Sequence, residues 1–305
     1  MIKRYNQIIA LLMLLVFNVF YGQQDPQYTQ YMYNTMTVNS AYAGSAGHLT
    51  ITGLYRTQWV GFEGAPNTQT LTIDSPVGKN VGLGLSIVND EIGPSQEQYI
   101  DANFSYTIKT SETYKLSFGI KGGGRVLNID WSKGSYRDND TQFQQNIQNE
   151  FLPVVGAGLF LHSEKSYLGL SVPNFMTDKR YDEVQEGLAD ERLHAYLIGG
   201  WVFDIGVSTK FKPAFLLKYA DGAPMTVDLS ANFMFNEVFT LGAAYRSGDA
   251  ISALAGIQIA PQFLLGYSYD YTTSDIQNFS SGTHEIVLRF ELKSKDKGLK
   301  SPRFF

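Results

Sequence analysis

The sequence predicts an all-β fold, a transmembrane antiparallel outer-membrane β-barrel of about 14 strands. Apolar and polar residues alternate along most of the chain after residue 48, as in strands with one oily and one polar face. Short turns alternate with longer loops between these strands, which is how outer-membrane barrels are connected. The first 22 residues resemble a secretory signal peptide, which takes a chain out of the cytoplasm.

The N-terminal residues combine a basic start with an apolar run that ends before Gly22. Residues 1–7 include the basic pair Lys3 and Arg4, and residues 8–20 are almost entirely apolar. A run of this length is short for a membrane-spanning helix, which needs about 20 residues. We therefore expect residues 1–22 to be a signal peptide, cleaved near Gly22 to leave a chain that starts at Gln23. An uncleaved membrane anchor is the alternative.

Composition narrows the class of protein further. Charged residues make up 17% and aromatic residues 14% of the 305 residues, whereas an average soluble domain is about 25% charged. The net charge of −5 argues against a nucleic-acid partner, because such proteins usually carry a basic face. The absence of Cys excludes disulfides, thiolate metal sites, Cys nucleophiles and a lipid anchor on Cys. No later apolar run approaches the length of a spanning helix, about 18 residues.

Three further segments follow the signal peptide. Residues 23–47 are polar and rich in Tyr and lack strand alternation, so we expect an N-terminal periplasmic or lumenal segment, with a mobile terminus as the alternative. Residues 48–293 form the predicted barrel. Residues 294–305 form a predicted periplasmic C-terminal tail. Its basic residues and its two final Phe residues fit either docking to a periplasmic partner or a solvated terminus with a barrel-assembly signal.

The strands of the predicted barrel share the pattern of the first hairpin. In its first arm, Ile51 and Tyr55 lie on the oily face, and Thr52 and Arg56 lie on the polar face. The later strands are close to the length of about 9–11 residues that a tilted strand needs to cross a bilayer. The predicted strands cover residues 48–59, 67–75, 81–87, 100–108, 114–120, 151–162, 167–173, 193–203, 210–219, 227–235, 239–246, 251–259, 263–271 and 285–292.

Two observations favour lipid around these strands. Aromatic residues cluster near the ends of the oily faces, as they do in interfacial girdles. The opposite face is polar or small and carries charges of both signs, which can pair across a lumen. The predicted lumenal charges are Asp101, Asp228, Arg246, Asp270, Glu285 and Arg289. With both termini periplasmic, the longer loops fall on the cell exterior. A soluble sandwich or propeller, which also has alternating strands, is the alternative.

No residue pattern indicates catalysis or a cofactor. The four His residues are scattered without metal-ligand spacing. The run Asp138–Asp140 lacks the Gly and Glu spacing of an EF-hand. The run Gly122–Gly124 lies late in a strand, which fits a kink or close packing and not phosphate binding. No Ser/His/Asp set stands in a recognisable motif, so we predict no enzymatic activity, no metal and no cofactor.

The stretch around the first hairpin resembles a known family. The lead-in at residues 24–32 reads QDPQYTQYM, residues 39–44 read NSAYAG, and residues 55–66 read YRTQWVGFEGAP. Together with GTHEI at residues 282–286 and the tail SPRFF at 301–305, these motifs are similar to those of the PorP/SprF family. The resemblance extends over essentially the whole mature chain.

This resemblance implies an outer-membrane barrel of the type IX secretion machinery of Bacteroidota, tied to protein export, surface anchoring of secreted proteins and gliding motility. The implied partners are periplasmic ring and motor components, the translocon, and a cognate secreted surface protein such as a gliding adhesin. The family implies no catalytic residues. The family motif residues of this chain either shape the turn or contact a partner. They are Arg56, Trp59, Gly61, Gly64 and Pro66.

The sequence therefore predicts a non-enzymatic secretion component that assists export or surface anchoring. The alternative is an outer-membrane transport barrel for hydrophobic or small polar solutes. The lumen distinguishes the two, because an open, water-filled path favours transport. A lumen plugged by residues 24–46 and paired charges favours a scaffold.

Overall fold

The computed structural model describes residues 26–134, 146–176 and 193–292. The predicted signal peptide, the run at 138–140 and the C-terminal tail lie outside the described residues. The strands are β1 (Thr50–Thr57), β2 (Asn67–Pro76), β3 (Val81–Ile92), β4 (Ser95–Lys109), β5 (Lys115–Ile129), β6 (Ile147–His162), β7 (Ser166–Val172), β8 (His194–Trp201), β9 (Phe203–Asp204), β10 (Thr209–Ala220), β11 (Thr226–Phe235), β12 (Phe239–Arg246), β13 (Ala250–Ala260), β14 (Phe263–Thr272) and β15 (Thr283–Glu291).

These strands form one closed antiparallel sheet. Strands that follow each other along the chain pair with each other, and β1 pairs with β15 to close the ring. The short β9 continues the path of β8 beyond Val202, and both pair with β10. The fifteen strand segments therefore fill fourteen positions around the barrel. The predicted all-β barrel of about 14 strands is confirmed.

The two faces of the wall differ as the alternating pattern predicts. On β1, Thr52, Leu54 and Arg56 point into the barrel and are buried, whereas Tyr55 is 43% exposed on the outside. Outward apolar side chains recur around the wall and include Leu71, Ile87, Ile100, Phe104, Phe118, Leu159, Leu241, Tyr271 and Leu288. A band of exposed apolar residues around a polar interior is the arrangement that lipid requires.

The two ends of the barrel are unlike. At one end, here called the turn end, short turns join the strands at residues 77–80, 110–114, 163–165, 205–208, 236–238 and 261–262. The opposite end, here called the loop end, carries the described residues 58–66, 130–134, 146, 173–176, 193, 221–225, 247–249 and 273–282. The connection between the predicted strands 81–87 and 100–108 is only the tight turn Gly93-Pro94, because β3 extends to Ile92 and β4 begins at Ser95. Gly93 has a φ of 55°, a conformation that favours glycine.

Residues 27–46, here called the plug, fill the lumen. They contain one helical turn, α1 (Thr35–Val38), and a 3-10 helix at Ser40–Tyr42. None of the helices in the described residues is both long and apolar enough to cross a membrane. The main hydrophobic core joins plug and wall, with Tyr28, Tyr31, Met32, Tyr33, Met36, Val38, Ala41, Tyr42 and Ala43 against Leu54, Phe160, Tyr167, Tyr196, Ile198, Leu216, Leu254, Leu264 and Val287. Burial of these side chains ties the stability of the barrel to its plug.

Glycines in the wall let the plug backbone come close. A Cβ added at Gly119 would lie 2.1 Å from the backbone nitrogen of Ala41, and one at Gly82 would lie 2.1 Å from the carbonyl oxygen of Ala43. Real Cβ atoms do not approach backbone this closely, so a side chain at either position would displace the plug. On the same strand as Gly119, Gly122 faces outward and has nothing within 4 Å of an added Cβ.

Candidate functional site

Arg56 holds the N-terminal part of the plug near the loop end. Its Nη1 lies 2.9 Å from Asp270 Oδ2 and 3.1 Å from Glu285 Oε2. The Thr29 hydroxyl accepts from Arg56 Nη1 at 2.9 Å and donates to Asp270 Oδ2 at 2.7 Å. Glu285 accepts from the backbone N–H groups of Thr29 and Gln30 at 2.9 and 2.8 Å. These five residues, here called the Arg56 cluster, are each at most 3% exposed.

Arg246 binds Tyr28, the plug residue that precedes Thr29. Its Nε donates to Asp228 Oδ1 at 2.8 Å, and its Nη1 donates to Asp249 Oδ2 at 3.2 Å. Its Nη2 donates to the carbonyl oxygen of Tyr28 at 3.1 Å. Asp228 and Arg246 face each other directly across β11 and β12. Consecutive plug residues, Tyr28 and Thr29, thus bind two separate arginines of the wall.

The plug is also held at the turn end. The backbone N–H of Gly44 donates to Asp74 Oδ2 at 2.8 Å, and Ser105 Oγ donates to the carbonyl oxygen of Ala43 at 2.7 Å. Arg289 Nε donates to Glu291 Oε1 at 2.9 Å on the neighbouring wall. Since buried backbone groups need partners, these side chains replace the hydrogen bonds that a strand or helix would give the plug.

The middle of the plug is bound along the β4–β7 wall. Lys121 Nζ donates to the carbonyl oxygen of Thr37 at 2.8 Å and lies 3.5 Å from Asp101 Oδ2. Asn39 Nδ2 donates to the carbonyl oxygen of Leu159 at 3.0 Å, and Asn39 Oδ1 accepts from the plug's own backbone at Ala41. Asn39 is completely buried. A buried amide of this kind fixes the plug against one position of the wall.

The predicted lumenal charges all lie inside the barrel, but they do not form one site. Asp270 and Glu285 meet Arg56, and Asp228 meets Arg246. Asp101 pairs with Lys121 on the part of the wall formed by β4 and β5, and Arg289 pairs with Glu291 at the turn end. Sequence reasoning missed the plug amides that bind Glu285, the carboxylate of Asp74 and that of Asp249. The inward position of Asp74 could have been predicted, because Asp74 lies on the polar face of β2.

The burial of these ion pairs determines whether they add to the stability of the barrel or fix the position of the plug. Taking charges out of water costs several kcal/mol per ion, so a buried pair adds little net stability over an apolar substitute. Removing one partner is different, because the other charge is left buried without compensation. The Arg56 cluster therefore specifies where the plug sits more than it adds to the total stability of the barrel. The charged side chains of the cluster all belong to the wall, and the plug supplies the Thr29 hydroxyl and two backbone N–H groups that complete their hydrogen bonds.

The motif loop, residues 58–66, is shaped by left-handed backbone. Gly61 and Gly64 have φ values of 96° and 75°, which favour glycine, and Trp59 adopts a φ of 44°. The backbone of Val60 exchanges hydrogen bonds with Gly282 and Ser281, at 2.8 and 2.7 Å. The two stretches that carry the family resemblance, 55–66 and 282–286, are thus bonded to each other at the loop end.

Beside the motif loop a cavity of about 460 Å³ lies at the loop end. Trp59 and Pro66 of the motif line one side, Arg246 and Asp249 line another, and Pro26 contributes the start of the described chain. Trp59 is half-buried, and its backbone N–H donates to Thr283 Oγ1 at 3.1 Å. Of the motif residues, Arg56 thus faces the lumen, Gly61 and Gly64 shape the loop, and Trp59 and Pro66 face the cavity.

The described residues contain no group of three His, Asp or Glu side chains arranged to hold a metal ion. A Ser–His pair is present, since Ser117 Oγ and His162 Nε2 lie 3.4 Å apart. Both are buried in the wall at the turn end, and Thr107 Oγ1 lies 2.7 Å from the Ser117 hydroxyl. The pair is held inside the fold and is not presented at the loop-end rim.

Comparison with family models gives one match, which covers residues 20–290 and is described as "Type IX secretion system membrane protein PorP/SprF". The chain belongs to the PorP/SprF family. The match includes the whole plug, the motif loop and almost all of the barrel. Membership and the closed barrel together place this PorP/SprF protein in the bacterial outer membrane, as a membrane protein of the type IX secretion system. The suspected family and the predicted location are both confirmed.

Several solved structures are similar to this PorP/SprF chain at low identity. A Pseudomonas aeruginosa FadL homologue is 12% identical, with a TM-score of 0.47 over 90% of this chain and 100% of that one. The CymD monoaromatic hydrocarbon channel is 12% identical, with a TM-score of 0.48 over 89% and 94%. Acinetobacter baumannii Omp33 is 9% identical, with a TM-score of 0.46 over 80% and 98%. No curated protein matches the chain.

Proposed function

We propose that this PorP/SprF protein is a non-enzymatic scaffold of the type IX secretion system that assists export or surface anchoring of secreted proteins, gliding adhesins among them. The observation that carries the proposal is the plug. Residues 27–46 fill the lumen with a shared core and are bonded to the wall at both ends. A barrel filled in this way acts through its surfaces and not through a conduit.

The partners of such a scaffold lie on both sides of the membrane. We assign the periplasmic ring and motor components and the translocon to the turn end, and a cognate secreted surface protein to the loop end. The motif loop supports the second assignment, because Trp59 and Pro66 line a cavity that the barrel itself leaves unfilled. Turn chemistry accounts for Gly61 and Gly64, so Trp59 is the motif residue that we expect to contact a partner.

A transport barrel for small solutes is the competing function, and the plug counts against it. One further space between plug and wall, lined by Tyr28, Tyr99, Lys121 and Tyr196 among others, has a volume of about 70 Å³. A pore that passes solutes needs a continuous aqueous path, as in porins. Buried plug contacts such as those of Asn39 and Glu285 would have to break before any such path could open.

Deletion of the gene tests the proposal. We expect the deletion strain to lose surface display of one or more exported proteins while its uptake of small solutes is unchanged. Complementation with Trp59→Ala should restore display only in part. Trp201→Ala is the matched control, since Trp201 is 44% exposed on the outside of the wall and away from the motif loop. Normal surface display in the deletion strain, or lost solute uptake with normal display, would contradict the scaffold function.

A further inference from the structure

The plug crosses the lumen from one end of the barrel to the other. At the loop end, the carbonyl oxygen of Tyr28 is bound by Arg246, which ends β12 next to residues 247–249. At the turn end, the N–H of Gly44 is bound by Asp74, close to the turn at 77–80. The chain then enters β1 at Thr50. The N-terminal side of the plug is thus the side that is farther from the start of the barrel.

The start of the described chain lies in the mouth of the loop end. Pro26 and Gln27 line the same cavity as Trp59 and Asp249. Pro26 and Gln27 are partly accessible, whereas the side chains that follow them, from Tyr28 to Met36, are all buried. The chain therefore enters the lumen through the loop end, beside the motif loop.

From this path we propose that Pro26 and the first plug residue, Gln27, face the outside of the cell at the mouth of the loop end. The step from loop end to cell exterior rests on the construction of outer-membrane barrels, whose short turns are periplasmic and whose longer loops are external. One continuous segment of about 20 residues then links the two sides of the membrane, since the plug's other end meets the periplasmic turns. A protein outside the cell can reach the plug directly at this end.

The same path constrains processing of the N-terminus. A segment before Pro26 that stayed anchored in the inner membrane could not reach the outer mouth through the lumen. The predicted signal peptide has to be removed before the barrel closes around the plug. Both consequences depend only on the path of the chain. A test of that path therefore does not also test the scaffold function.

The lack of Cys in the chain makes the proposal directly testable. Single-Cys variants are expressed in cells and treated with a membrane-impermeant maleimide before or after lysis. Gln27→Cys is the test variant. Phe62→Cys reports the motif loop, where Phe62 is 47% exposed, and Val77→Cys reports a short turn, where Val77 is 58% exposed. We expect Gln27→Cys and Phe62→Cys to label equally in intact and lysed cells, and Val77→Cys to label only after lysis.

Three results would overturn the proposal. Labelling of Gln27→Cys only after lysis, with the two controls as expected, would place the terminus on the periplasmic side. A reversed pattern of the two controls would show that the loop end faces the periplasm. Labelling only after denaturation would show that the end of the plug is covered. If Gln27→Cys does not assemble, an epitope inserted before Pro26 and detected by antibody on intact cells replaces it, with the same outcomes.

Discussion

Replacement of Arg56 by alanine is expected to loosen the plug while leaving the wall of the barrel closed. The backbone pairs between β1 and β15 do not depend on this side chain. The contacts to Asp270, Glu285 and Thr29 are all made by the guanidinium of Arg56, so the substitution removes all three together. Two carboxylates are then left buried, one of them completely inaccessible to water, with no arginine between them.

The size of the effect follows from that burial. Removing one partner of a buried ion pair costs about 3–5 kcal/mol, because the remaining charge is uncompensated. The cost falls on the state in which the plug is seated, since Asp270 and Glu285 regain water when it leaves. At about 1.4 kcal/mol per factor of ten, the population of the open plug rises roughly 140- to 3,700-fold.

Hydrogen exchange measures this population. The amides of Thr29 and Gln30 donate to Glu285 and exchange only when the plug opens. In Arg56→Ala their exchange should speed up by about two orders of magnitude or more, up to the limit set by complete unfolding. The control is Lys165→Ala, whose pair with Asp204 is exposed, with side chains 56% and 47% accessible. A pair of that kind is worth about 0–1 kcal/mol, so plug exchange should stay as in the wild type.

Equal protection of the plug amides in Arg56→Ala and in the wild type would refute this reasoning. It would mean that the apolar core, and not the Arg56 cluster, fixes the plug. Faster exchange in both variants alike would show that the plug responds to any change in the wall, which would also count against a specific latch.

Two further substitutions test how wall and motif loop are built. Gly119→Ala brings a Cβ to within 2.1 Å of the plug backbone and should lower the temperature at which the barrel loses its compact, heat-modifiable form on SDS gels. Overpacking of this kind costs about 1–3 kcal/mol, and Gly122→Ala on the outward face should behave as wild type. Gly64→Val forces a β-branched residue to a φ of 75° and should speed proteolytic cleavage of the motif loop, whereas Gly78→Val, at a turn with open space, should not. Unchanged melting in the first pair, or equal cleavage in the second, would contradict these roles.

The wall was predictable because a strand with lipid on one side and a lumen on the other leaves a period of two in the sequence. That period assigned Arg56, Asp101 and Arg289 to the inner face, where the structure has them buried. One ion pair of the wall could also have been predicted. Asp228 and Arg246 stand opposite each other because β11 and β12 form a simple hairpin, and register follows from the turn.

The position of the plug was not predictable from local pattern. Thr29 binds Glu285, 256 residues away, and that contact depends on closure of the barrel between β1 and β15. The plug has no period of its own, and residues such as Gln30 and Asn39 look like those of a solvated terminus. They are buried because wall groups satisfy their hydrogen bonds, and no short stretch of sequence records such partners.

Conductance in planar lipid bilayers tests the central claim, a closed lumen, most directly. The wild-type protein is compared with a variant that lacks residues 27–45, after both are shown to form heat-modifiable barrels. We expect the wild type to give no steady channels and the shortened variant to conduct, because removal of the plug leaves a lumen lined by Arg56, Arg246 and their carboxylate partners. Steady conductance by the wild type at the level of the shortened variant would contradict a plugged scaffold and favour a transport barrel.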